Sequence, residues 1–150
     1  MQIRNDLGSL TKPVPAQTRD HGIGCVVLSC FESEFRFWAY LCRLADIRMI
    51  RADTLEEADF LLNATASSVL LVDVVFLDGT WKDAVAMVAG SHPRVTSVVI
   101  ADEIDSPFVA DAFSYGALSV CWKPICLHRL RRLIRWAHEV SEERALWLRN

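Results

Sequence analysis

Residues 69–76 read VLLVDVVF, and the reading of this stretch decides the fold. Every position but Asp73 is apolar, and branched side chains of this kind favour extended chain. Apolar residues on nearly every position describe a strand covered on both faces, as in a parallel sheet. Asp73 interrupts the run, and a carboxylate buried there without a partner would be costly. It therefore belongs at the rim of the sheet or against a cation such as Lys123.

Working outward, four more β-rich runs stand at CVVLS (25–29), IRMIRA (47–52), VTSVVIA (95–101) and LSVCW (118–122). Helical stretches separate them. Ser33 is the expected N-cap of the first, with Phe37, Trp38, Leu41, Leu44 and Ala45 as its apolar face. Thr54-x-x-Glu57 is a capping box opening a second helix to about Asn63. Thr80 to Ala89 reads as a third, closed by Gly90 with Pro93 behind it. Ser106-Pro107 reads as an N-cap and first-turn proline, and Gly116 ends that helix. The last helix runs from about Cys126 almost to the C-terminus. Five strands alternating with five helices predict an α/β fold, a doubly wound five-stranded parallel sheet of flavodoxin-like type with an extended C-terminal helix. Function then sits beyond the carboxyl ends of the strands.

Composition narrows the classes. The chain has 150 residues, 52% of them hydrophobic and 23% charged, which excludes a disordered tail or a collagen-like fibre. A net charge of −3 gives no global reason to bind nucleic acid. No apolar run approaches the roughly 20 residues of a membrane span, and residues 1–17 lack a secretory signal. The expected location is the cytoplasm. Cys25, Cys30, Cys42, Cys121 and Cys126 form no C-x-x-C pair and read as reduced, buried thiols rather than metal ligands. Residues 1–22 mix Gly, Pro, Ser and charges without period and read as a flexible leader, residues 23–138 as one domain, and residues 139–150 as an extension of the last helix.

The runs VLLVDVVFLDG, SVVIADE and AFSYGALSVCWKPI together resemble the receiver domain of two-component response regulators, over residues 24–138. The spacing G-A-x-x-x-x-x-K-P from Gly116 to Pro124 carries most of that resemblance. It implies that Asp73 is the phosphoacceptor for a sensor histidine kinase, that Lys123 contacts the phosphate, and that Lys123-Pro124 is cis. It also implies Mg²⁺, with Asp73 among its ligands, because two anions meeting need a divalent cation that prefers oxygen ligands.

The sequence departs from that family where the chemistry is most demanding. The acidic pair expected after the first strand is Ser29 and Cys30, with Glu32 and Glu34 beyond, better read as acids favoured by a helix start. The hydroxyl residue ending the fourth strand is Ala101, and the aromatic that moves with it is Val120. The loop after Asp73 is about two residues short. Asp102, Glu103 and Asp105 read as a solvated loop rather than substitute ligands.

In the last helix Leu127, Leu130, Leu133, Ile134, Ala137, Val140, Ala145 and Leu148 keep one apolar register. The part beyond His138 is expected to project, leaving Trp147 and Leu148 to a partner, most simply a second copy of the chain. Arg129, Arg131, Arg132 and Arg135 suit a solvated face or an acidic partner better than nucleic acid. The preferred reading is a degenerate receiver-like module of phosphorelay signalling, not an enzyme, that binds a histidine kinase or another signalling protein. It is either stand-alone or part of something longer. One alternative is an active receiver phosphorylated on Asp73. Another is a small enzyme or nucleotide-binding domain, although Gly22 and Gly24 precede the first strand where a phosphate loop should follow it.

Overall fold

The computed structural model describes residues 22–29 and 32–149. The expected leader (but for residue 22) and Cys30 lie outside them. Five parallel strands make the main sheet: β1 Ile23–Leu28, β2 Ile47–Ala52, β3 Val69–Asp73, β6 Thr96–Ala101 and β7 Ser119–Trp122, in the order β2-β1-β3-β6-β7. A two-stranded antiparallel hairpin, β4 Val75–Phe76 and β5 Gly79–Thr80, follows β3. The helices are α1 Glu32–Arg43, α2 Leu55–Ala64, α3 Trp81–Ser91, α4 Ser106–Tyr115 and α5 Leu127–Arg149. This is the doubly wound, flavodoxin-like α/β fold with a long C-terminal helix.

The central strand β3 is buried at all five positions, as its unbroken apolar run demands. Its alternate residues feed two separate cores. Leu70 and Val72 meet Ala58 and Leu62 of α2, Val85 of α3 and Ala112 of α4 on one face. Val69 and Leu71 meet Cys42 of α1 and Leu130, Ile134 and Ala137 of α5 on the other. Two-sided burial fixes the register, since slipping one residue would exchange the two sets.

Several expectations need correction. The third strand stops at Asp73 rather than Phe76, because Leu77-Asp78 forms a tight turn that pairs Val75 with Thr80 and Phe76 with Gly79. Gly90 does not close α3 but lies inside it, and the helix stops before Pro93, with His92 as its C-cap. The N-cap of α4 is Asp105, whose carboxylate accepts from the Phe108 N–H at 2.9 Å, so Ser106 is already helical. Helix α1 starts at Glu32, before Ser33.

The buried face of α1 matches the expected one only in part. Phe35, Trp38 and Ala45 pack on the core around Cys42, while Phe37 and Leu44 are 63% and 68% exposed. Too many apolar residues share this helix for periodicity alone to choose a side. Nor does α5 simply project beyond His138. Ser141 and Ala145 are buried, and Arg144 donates to the Val95 carbonyl at 3.0 Å, so the helix lies along the entry edge of the sheet.

Candidate functional site

Four strand ends converge on Asp73. It is the last residue of β3, and Ser29 immediately follows β1, its N–H held by the Ala52 carbonyl. Lys123 follows β7, its N–H donating to the Ala101 carbonyl at the end of β6 at 2.9 Å. The Lys123-Pro124 peptide is cis. These backbone anchors bring residues distant in sequence to one mouth.

The side chains meet there. Lys123 Nζ lies 2.6 Å from Asp73 Oδ1, and Ser29 Oγ donates to Asp73 Oδ2 at 2.6 Å. Asp73 is only 7% exposed. An ionised carboxylate at that depth is tolerable because a cation and a hydroxyl satisfy both oxygens. The structure thus brings together both residues singled out from the sequence.

What covers them was not foreseen. Phe35 and Trp38 of α1, with Val27, Leu71 and Ile100, bound the hollow that touches Asp73 and Lys123, and it measures only about 10 Å³. That is room for about one water. A wider hollow of about 350 Å³ lies just outside, against Trp38, Asp102, Lys123, Pro124 and Ile125. The signal for the roof was the Phe35/Trp38 spacing, three apart and hence on one helix face.

Asp102, Asp105, Ala101 and Val120 contribute little to the pocket. Asp105 is spent on capping α4, and Asp102 stands at the outer hollow. Ala101 is buried and Val120 packs against the α2–α3–α4 core, so neither supplies a hydroxyl or a mobile ring. Glu32 and Glu34 fall in the first turn of α1, and their side chains, like Cys30, lie outside the description. Burial raises the thiol of Cys121, keeping it neutral, whereas Cys126 is exposed.

A divalent cation fits the described residues poorly. Mg²⁺ demands octahedral oxygen ligation at about 2.1 Å, with several waters. Asp73 has both oxygens engaged, the adjoining hollow holds about one water, and no cluster of three His, Cys, Asp or Glu forms among the described residues. Among the described residues, both oxygens of Asp73 are thus held by Lys123 and Ser29.

Comparison with known proteins places this geometry in a wider frame. No family model matches the chain, and no curated protein matches it. Solved structures do. The receiver domain of a LuxO repressor protein from Vibrio parahaemolyticus superposes with TM-score 0.75 at 11% identity, covering 83% of this chain and 96% of that one. A response regulator receiver domain from Clostridium thermocellum gives 0.71 at 14%, covering 80% and 97%. The beryllofluoride-activated NtrC4 receiver domain dimer gives 0.72 at 21%, covering 79% and 98%. The chain has the receiver-domain fold.

Proposed function

We propose that this receiver-fold chain is a degenerate module of phosphorelay signalling that acts by binding other proteins rather than by accepting phosphate efficiently. One observation supports the reading: Asp73 is clasped by Lys123 and Ser29 beneath Phe35 and Trp38, and the hollow that touches its carboxylate measures only about 10 Å³ among the described residues. In-line attack by a carboxylate needs the phosphorus within about 3.5 Å along an open approach. The Asp–Lys pair instead ties β3 to the β7–α5 loop and holds one conformation.

A working acceptor remains the second reading, favoured by the same Asp73–Lys123 contact, which would place a cation beside an incoming phosphate. Intact mass after incubation with acetyl phosphate and Mg²⁺ separates the two. The expected result is no adduct in the parent chain, as in Asp73→Asn. A Mg²⁺-dependent gain of one phosphate in the parent alone would establish the active receiver. The partners fitting this reading are a histidine kinase or another signalling protein, in the cytoplasm. No helix among the described residues is long and apolar enough to cross a membrane.

Self-association belongs to the same reading. Leu146, Trp147 and Leu148 form an exposed apolar end to α5, Trp147 at 81% exposure. One of the structural neighbours is itself a receiver dimer. A two-fold pairing of α5 ends would cover this patch.

A further inference from the structure

The entry edge of the sheet, opposite Asp73, holds a larger hollow of about 770 Å³. That lies within the range of small-molecule sites. Gly24 and Arg48 of β1 and β2 lie on its floor, Leu62 and Asn63 of α2 on one side, and Ser141 and Leu148 of α5 on the other. The stretch of α5 from His138 to Leu148, lying along that edge, walls the cleft.

Its charges are unevenly spent. Arg94 and His138 both lie 3.9 Å from Glu142, and the second ring nitrogen of His138 is 2.8 Å from Ser68 Oγ. Arg48 has no ion pair among the described residues, and its buried Nε has no hydrogen-bond partner. The Ser141 hydroxyl, in a residue 1% exposed, is likewise buried without one. Donors left unmade at a buried edge are costly, and a guanidinium is built for bidentate capture of an oxyanion. Gly24 keeps the floor bare: a Cβ there would stand 2.7 Å from Ser67 Oγ and 3.2 Å from Arg48 Nη2.

We propose that this cleft binds a small organic molecule with a phosphate or carboxylate head, Arg48 taking the head and Leu62 and Leu148 flanking the body. The site is independent of Asp73 and goes beyond the signalling reading. The test is NMR titration of the full chain with adenosine monophosphate, with octanoate and with inorganic phosphate, observing the Arg48 Nε–Hε resonance. At least one organic probe is expected to shift it saturably, and the tighter of the two identifies the head. Its dissociation constant, read in every variant from the backbone amide resonance of Leu62 at the cleft, should rise at least tenfold in Arg48→Gln and in Asn63→Trp, and stay unchanged in Asp73→Asn. Asn63 is exposed on α2, so the tryptophan fills the cleft without touching the core and serves if Arg48→Gln does not fold. The proposal is overturned if neither organic probe moves the resonance, if binding survives both substitutions, or if inorganic phosphate binds as tightly regardless of Asn63→Trp.

Discussion

Lys123 holds a buried carboxylate, so removing its charge is more disruptive than removing both partners. Lys123→Met should cost about 3 kcal/mol by leaving Asp73 short of a cation. Lys123→Met with Asp73→Asn should recover much of that, a coupling that denaturant midpoints would show. Additive losses would mean the pair is a surface contact. The cysteines make a second residue-scale prediction. Burial, reinforced by nearby Cys42, pushes the Cys25 thiol far above its ordinary value of 9.0, and burial raises Cys42 as well. The fold tolerates only the neutral thiol, so its contribution is complete below that ordinary value and declines as pH rises past it. Unfolding midpoints should fall above about pH 9, and less steeply in Cys25→Ala. Asp73 and Lys123 were legible because a charge inside an apolar strand demands an explanation. Trp38 was expected on the apolar face, but Phe35 was not, since Phe37 and Leu44 offered a competing set whose exposure only tertiary packing decides.

Among the elements, α3 is the one open to improvement. Gly90 sits in its last turns with no atom within 4 Å of where a Cβ would stand. Gly90→Ala should therefore raise unfolding free energy by about 0.5–1 kcal/mol, measurable by urea denaturation. The opposite sign is expected at the start of α2, where Thr54 Oγ1 accepts from the Glu57 N–H at 3.1 Å. Thr54→Ala should cost about 1 kcal/mol. That box was readable from four letters because capping is local chemistry. The hairpin after β3 was not read, although Asp78-Gly79 is a turn signal, because the apolar run continues across it to Phe76. Helix starts shifted by one residue at Asp105 for a similar reason: aspartate and serine compete for the same cap, and only backbone geometry chooses between them.

For the molecule as a whole, the alternation of strands and helices was enough to give the layers and the shared mouth of Asp73 and Lys123. It could not show that α5 lies along the entry edge, since an amphipathic register does not say where the surface beneath it ends. Light scattering should report a dimer for the full chain, and Trp147→Glu should weaken association at least tenfold. An unaltered dimer would place the contact elsewhere. All five strands of the main sheet run the same way, so the molecule has a head and a tail. A six-residue strand such as β1 separates them by about 20 Å. If both proposals hold, a signalling protein at one extremity and a small molecule at the other would never collide, so either could come or go without displacing its counterpart.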